Sequence, residues 1–106
     1  MDYTAIEVLQ SETFKLWFAD LRDRHAKARI AARIRRLSLG NAGDTKFLEK
    51  GVGELRIDWG PGYRVYFQKT GPALVILRCG GDKRSQSADI LRAIEIASDW
   101  EDDRGL

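Results

Sequence analysis

The chain has 106 residues, of which 43% are hydrophobic and two are prolines, and it is predicted to form one globular domain over 1–106. A single cysteine, Cys79, excludes an intrachain disulfide, and its apolar surroundings favour a small core residue. The N-terminal stretch has no basic segment followed by a long apolar run. We therefore expect no signal peptide, no membrane span and a cytoplasmic location.

The charge of the chain is unevenly distributed, although its formal net value is only +2. Basic residues are concentrated between positions 22 and 36, whereas acidic residues are concentrated in 99–106. This distribution favours an anionic partner. Arginines on a solvated helix face give the same pattern, so that alternative stays open.

The first part of the chain predicts an edge strand and one helix. Residues 3–9 contain β-branched side chains and predict the strand. The helix begins at Ser11 or Glu12, and apolar residues spaced by three and four form its buried face. These residues are Phe14, Trp17, Phe18 and Leu21.

A second helix is predicted from a break at 23–25 to about Leu39, and Gly40 follows it as a helix stop. Together with the first helix it forms a helical hairpin with a basic outer surface. Its buried residues are Ile30, Ile34 and Leu37, and its outward arginines are Arg29, Arg33 and Arg36. Residues 41–48 are expected to form a loop.

Three strands are predicted next. Residues 54–59 and 63–67 alternate between apolar and polar side chains, whereas 73–77 are apolar throughout, as in an interior strand. A three-residue loop at 60–62 would pair position 58 with 64 and position 56 with 66. Arg56, Asp58, Arg64 and Tyr66 would then share one polar face.

A polar turn at 80–85 is expected to precede the last helix, which begins near Ser85 or Ser87 and ends at about Trp100. Its buried stripe is predicted to comprise Ile90, Leu91, Ile94 and Ala97. The acidic residues that follow are expected to form a frayed, solvated tail. The predicted fold class is α+β, with the element order β-α-α-β-β-β-α.

Five short segments carry a family resemblance. They are GDTKFL at 43–48, GVGELRI at 51–57, GPGYRVYF at 60–67, GGDK at 80–83, and Gln86 followed by Asp89-Ile90. Within a stretch from about Phe14 to Ala97, they resemble the RelE/ParE toxin superfamily. The match is to its phage Gp49-like, HigB-type branch, the addiction module killer proteins.

The resemblance implies a RelE-like fold, with a small, mostly antiparallel four-stranded sheet against an N-terminal helical hairpin and a C-terminal helix. It also implies a type II toxin that is neutralised by an antitoxin, expected to be a small helix-turn-helix protein encoded beside it. RelE-side members cut mRNA on the ribosome, whereas ParE-side members inhibit DNA gyrase without nuclease activity. Fold alone does not choose between these, or exclude a binding module without toxicity.

Metal-independent RNA cleavage needs a proton acceptor for the 2′-hydroxyl, cations for the phosphorane charge and a proton donor for the leaving oxygen. By resemblance, Arg64 after Gly-Tyr and Lys83 after the last strand act on the phosphate. Arg56 shares the polar face and completes the expected catalytic set. The alternatives are an ion pair of Arg64 with Asp58 and a solvated Lys83.

Eight further residues are expected to contact RNA. They are Lys46, Tyr66, Asp82, Arg84, Gln86, Arg29, Arg33 and Arg36. Structural roles stay open for several of them: solvation for Lys46, a satisfied core tyrosine for Tyr66, a turn or cap for Asp82, and an ordinary first helical turn for Gln86.

The general acid and base are not identified by the sequence. RelE-type enzymes commonly carry a tyrosine, and several HigB-type enzymes a histidine, in the C-terminal helix region, where this chain has Asp89 and Ile90. Its only histidine, His25, lies at the break of the helical hairpin and is expected to be a surface or capping residue. One histidine and one cysteine disfavour a metal site, and we expect no cofactor.

Overall fold

A computed structural model describes residues 6–104, with side chains described over 6–97. Its strands are β1 (Glu7–Gln10), β2 (Thr45–Phe47), β3 (Val52–Ile57), β4 (Tyr63–Lys69) and β5 (Leu74–Asp82). Its helices are α1 (Glu12–Asp20), α2 (Arg24–Ser38) and α3 (Gln86–Arg104), and a 3-10 turn, Lys83–Ser85, precedes α3. The α+β class is confirmed.

The strands form one mixed five-stranded sheet in the order β1-β5-β4-β3-β2. The outer strand β1 runs parallel to β5, and the other neighbours are antiparallel. Helices α1 and α2 cover one face, where the larger apolar core includes Phe14, Ile30 and Leu55. Helix α3 covers part of the other face, over Tyr66 and Cys79. None of the described helices is long and apolar enough to cross a membrane.

The two predicted N-terminal helices are confirmed. Ser11 caps α1 by accepting a hydrogen bond from the Phe14 amide at 3.0 Å, and its hydroxyl donates to the Arg78 carbonyl at 2.7 Å, which ties the helix to β5. Asp23 caps α2 by accepting from the amides at the start of that helix. Gly40 has a φ of +85°, the left-handed backbone that suits the residue after a helix.

The predicted four-stranded sheet is wrong by one strand, because part of the expected loop forms β2. A three-residue strand is too short to show an alternating pattern, and it exists only because Lys46 pairs with Glu54 of β3. The predicted first strand is confirmed as an edge strand, although it begins at Glu7; positions 3–5 of that prediction lie outside the described residues.

The predicted hairpin register is wrong by two residues. Arg56 lies opposite Arg64 and Ile57 opposite Tyr63, so the loop contains five residues, 58–62, instead of three. Local turn hydrogen bonds from the Trp59 amide to Ile57 and from the Gly62 amide to Trp59 draw 58 and 59 out of the ladder. Because the shift is even, every side chain keeps its predicted face.

The polar turn predicted at 80–85 is instead the end of β5 followed by the 3-10 turn. A Cβ at Gly80 would lie 2.2 Å from the Trp17 ring, so glycine here permits close packing of α1 on the strand.

The predicted buried stripe of α3 is wrong at Leu91, which is 70% exposed, whereas Ala93 is fully buried. Helix α3 also ends at Arg104, beyond the predicted end near Trp100. The predicted solvated tail depends on side chains outside the described residues.

Candidate functional site

A cleft of about 290 Å³ opens where β3, β4 and the 3-10 turn meet. Its lining residues are Asp44, Arg56, Asp58, Gly62, Arg64 and Lys83. The structure therefore brings together the three residues that were expected to act on phosphate. It also places there the carboxylate of Asp58, which was predicted on the same polar face, and that of Asp44 from the predicted loop.

Arg64 is half-buried at the base of this cleft. Its Nη1 donates to the carbonyls of Gly62 and Tyr63, each at 3.3 Å, and its buried Nε has no hydrogen-bond partner within the described residues. Its cross-strand neighbour is Arg56. Among the described side chains no ion pair joins Arg64 to Asp58, so that structural alternative is wrong.

Gly62 separates the two cations at the mouth of the cleft. Its φ is +82°, and a Cβ there would lie 3.4 Å from the Cβ of Lys83 and 3.5 Å from Nη1 of Arg64. Lys83 itself is exposed as the first residue of the 3-10 turn. Glycine thus serves both the turn and the open space between Lys83 and Arg64.

Glu54 lies beneath the cleft as a fully buried carboxylate held by three donors. It accepts hydrogen bonds from Arg56 Nε at 3.0 Å, from the Tyr66 hydroxyl at 3.0 Å and from Gln86 Nε2 at 2.9 Å. Burial alone would raise the pKa of Glu54, but the donors outweigh it and the pKa lies below its ordinary value. This network orients Arg56, whose side chain keeps 35% exposure.

Two expected RNA contacts, Tyr66 and Gln86, belong to this network instead. Tyr66 has no exposed surface, and burial together with the hydrogen bond to Glu54 raises the pKa of its hydroxyl. RNA stacking on Tyr66 is therefore wrong, because α3 covers that end of the polar face. The Gln86 Nε2 donates to Glu54, which gives Gln86 a structural role, and its contact with RNA stays a prediction.

Asp82 and Arg84 form a local pair at the 3-10 turn. Asp82 caps the turn by accepting from the amides of Arg84 and Ser85, and Arg84 Nη2 reaches Asp82 Oδ2 at 3.1 Å. The hydrogen bond from the Arg84 side chain is the main cause that lowers the pKa of Asp82. The capping alternative for Asp82 is confirmed, and Arg84 is 83% exposed beside the cleft residue Lys83.

Arg33, expected to contact RNA, is a half-buried link between α2 and the sheet. Its Nη1 donates to the Arg56 carbonyl, and its Nη2 donates to the carbonyls of Ala42 at 2.9 Å and Asp44 at 3.0 Å. Burial lowers the pKa of this guanidinium. The outward position predicted for Arg33 is wrong, because the groups it satisfies come from segments distant in sequence.

A second hollow of about 290 Å³ adjoins the first. Its lining residues are Arg29, Ala32, Arg33, Arg36, Ile57 and Asp58. Asp58 lines both hollows, so they adjoin at this residue, and the two together are called the groove. Of the remaining expected RNA contacts, Arg29 and Arg36 lie in this groove on the exposed side of α2, whereas Lys46 is exposed on β2 and lines neither hollow.

Trp59 is a site residue that sequence reasoning missed, since alternation assigned it only to the apolar face. The guanidinium carbon of Arg29 lies 4.0 Å from the centroid of the Trp59 ring, and Trp59 Nε1 donates to Asp23 Oδ2 at 3.1 Å. A tryptophan next to a Gly-Pro-Gly turn, with arginines on a nearby helix, is the only signal in the sequence.

A protein of Haemophilus influenzae (strain ATCC 51907 / DSM 11121 / KW20 / Rd) is 48% identical to this chain over 94 residues, which is 89% of the chain and 95% of that protein. The chain belongs to the same family. The Haemophilus influenzae relative is described only as an uncharacterized protein, and no family model matches the chain. The function of this chain is therefore inferred from the chemistry of the groove.

Among the described residues, few side chains could act as a nucleophile or bind a metal ion. Burial is the main cause that raises the pKa of the Cys79 thiol to about 12, which leaves it protonated at neutral pH. Within residues 6–97, no three His, Cys, Asp or Glu side chains cluster in a way that could hold a metal ion. His25 lies 6.0 Å from the Trp59 ring and does not line the cleft.

Proposed function

We propose that this protein is the toxin of a type II toxin–antitoxin system, with a RelE-like fold, and that it cuts mRNA on the ribosome without a metal ion. The observation that carries the proposal is the convergence of Arg56, Arg64 and Lys83 on one open cleft. These cations come from two strands and a turn, so the fold itself assembles them. A cluster of fixed cations suits a phosphate whose negative charge increases during reaction.

The reaction begins with attack of the ribose 2′-hydroxyl on the adjacent phosphorus. The new bond gives a 2′,3′-cyclic phosphate, and the bond to the 5′-oxygen of the next nucleotide breaks. Arg64 and Arg56 stabilise the phosphorane charge, and Lys83 donates a hydrogen bond or proton to the departing oxygen. Asp58 or Asp44, both at the cleft, accepts the 2′-hydroxyl proton.

The cleft has few side chains suited to acid–base catalysis, and we therefore propose that cleavage depends on the ribosome. Its lining includes no histidine or tyrosine, which are the side chains best suited to proton transfer near neutral pH. In this proposal, ribosomal RNA orients the message in the cleft and assists the proton transfers. The antitoxin, a small helix-turn-helix protein made in the same cytoplasm, neutralises the toxin by covering the cationic groove.

The test is brief expression in bacteria followed by mapping of mRNA 5′ ends, for the wild type, Arg64→Ala and the control Arg35→Ala. Arg35 is an exposed arginine of α2 that lines neither hollow. Cuts phased with codons should appear with the wild type and the control and disappear with Arg64→Ala. Intact mRNA together with inhibited DNA gyrase supercoiling would replace the nuclease with a gyrase inhibitor, and unimpaired growth would indicate a binding module.

A further inference from the structure

We propose that Arg29, whose guanidinium carbon lies 4.0 Å from the centroid of the Trp59 ring, is a stacking platform for one unpaired base of the RNA strand whose phosphate lies in the cleft. This subsite rests on the proposed function and specifies how the strand continues beyond the reacting phosphate. Its ligand is a nucleobase of single-stranded RNA, bound over the second hollow.

The two hollows adjoin each other. They meet at Asp58, and Arg33 lines the second hollow while its guanidinium donates to the carbonyl of Arg56, a cleft residue. The two halves of the groove are thus fixed to each other by a side chain that spans α2 and β3. In this proposal, a strand bound in the cleft passes Asp58 to reach Arg29.

Two contacts restrain the Trp59 ring that supports Arg29. The Trp59 ring packs against the core, and its Nε1 donates a hydrogen bond to the N-cap residue Asp23, and both contacts restrain the ring. At 4.0 Å from the ring, the Arg29 guanidinium is in stacking range, and the residue is exposed to solvent. A guanidinium group at this distance from an aromatic ring can stack an unpaired base on its other, solvent-facing side.

The negative charge at the boundary between the hollows favours a base over a second phosphate there. The Asp58 carboxylate lies at that boundary. It repels a phosphate but not an uncharged base, and it can accept hydrogen bonds from exocyclic amino groups. A duplex hides its base faces, so stacking selects single-stranded RNA.

The experiment measures binding of a fluorescently labelled adenylate hexamer at low salt by anisotropy. Arg29→Lys keeps the charge but removes the plane, and Arg35→Lys on the same helix is the matched control. We expect Arg29→Lys to weaken binding roughly 5- to 100-fold, the usual effect of losing one stacked base. The salt dependence should stay unchanged because the charge is kept. Arg35→Lys should bind like the wild type.

A second probe places an abasic nucleotide at each position of the hexamer in turn. One position should weaken wild-type binding and have no further effect on Arg29→Lys. Trp59→Leu, with its folding checked by circular dichroism, should reproduce the loss seen with Arg29→Lys.

If Arg29→Lys binds like Arg35→Lys while Arg64→Gln weakens binding, the stacking subsite is wrong and the phosphate cleft remains. If the wild type does not bind the hexamer at low salt, the stacking subsite is wrong, and if Arg64→Gln also binds like the wild type, phosphate binding by Arg64 in the cleft is wrong as well; the nuclease proposal itself is overturned by intact mRNA in the mapping experiment.

Discussion

Arg56 and Arg64 lie directly opposite each other on the antiparallel strands β3 and β4. Like charges at opposed positions destabilise a sheet, and here the repulsion is relieved only in part. Glu54 compensates Arg56, whereas Arg64 donates hydrogen bonds to two carbonyls on its own strand and loop. An anion placed between the two guanidinium groups would remove the remaining repulsion, which is the physical reason to expect phosphate in this cleft.

Replacing Arg64 with glutamine should abolish stabilisation of the protein by an oligonucleotide. A ligand at about 100 times its Kd stabilises the native state by about 2.7 kcal/mol, visible as a rise in Tm. The Arg64→Gln variant should show almost none of this rise at the same concentration, while Arg35→Gln should show all of it. Differential scanning fluorimetry with the adenylate hexamer measures both. An undiminished rise in Arg64→Gln would contradict anion binding in the cleft.

Gly62 and Gly60 provide a matched pair of variants for the space within the cleft. Both have positive φ, so alanine at either should cost about 1–2 kcal/mol of unfolding free energy through backbone strain. Only at Gly62 would the new methyl group lie between Lys83 and Arg64. We expect similar losses in urea denaturation but weaker hexamer binding for Gly62→Ala alone. Equal affinities in two folded variants would show that the space at Gly62 is not used.

The sequence predicts the faces of the β3–β4 hairpin but not its register. Alternation has a period of two, so Arg56 and Arg64 keep a common face under any even shift. The two-residue shift depends on hydrogen bonds within the loop around Trp59. The alternation of apolar and polar residues does not indicate these hydrogen bonds. Arg56 and Arg64 could therefore be predicted to share one site although the pairing was wrong, whereas Lys83 was placed with them by the family resemblance.

Other parts of the site depend on contacts between distant segments. Tyr66 shares the polar face in sequence, but α3 covers it, and the alternation pattern cannot say where a later helix will pack. Arg33 has the same spacing as Arg29 and Arg36, yet its carbonyl partners lie beyond the helix, at 42, 44 and 56. Residue type and spacing were therefore insufficient to separate structural from surface arginines.

Arg33 and Arg36 should differ in their effect on stability, although both lie on α2 and both line the second hollow. Arg33→Met removes three hydrogen bonds from a charged donor to carbonyl groups and should lower the unfolding free energy by about 2–3 kcal/mol. Arg36 is exposed, so Arg36→Met should change it by less than about 0.5 kcal/mol. Urea denaturation followed by circular dichroism tests this, and equal small effects would contradict the linking role of Arg33.

Replacement of Asp58 with asparagine separates binding from proton transfer. The carboxylate lies at the junction of both hollows and repels phosphate, so Asp58→Asn should tighten hexamer binding several-fold. If Asp58 accepts the 2′-hydroxyl proton, cleavage of mRNA should fall at the same time. Asp20→Asn, which changes an exposed carboxyl of α1 that lines neither hollow, is the control. Weaker hexamer binding by Asp58→Asn would contradict the charge argument.

Glu54 should make the stability of the protein depend on pH in the acid range. Its pKa in the folded protein lies below the ordinary value of 4.5, so the folded state favours the ionised form. The stabilisation it provides is therefore complete above the unfolded pKa and is lost as the pH falls through the folded pKa. Glu54→Gln should lower the unfolding free energy by about 3 kcal/mol at pH 7, because donors from Arg56, Tyr66 and Gln86 lose a buried charged acceptor.

The difference between wild type and Glu54→Gln in urea denaturation should be constant at neutral pH and should shrink as the pH falls below about 4.5. Glu49→Gln changes an exposed carboxyl and should leave the unfolding free energy within about 0.5 kcal/mol at every pH. A difference that stays constant down to strongly acid pH would mean that the buried carboxylate does not titrate with folding. The three donors around Glu54 would then hold a carboxyl whose charge contributes nothing to stability.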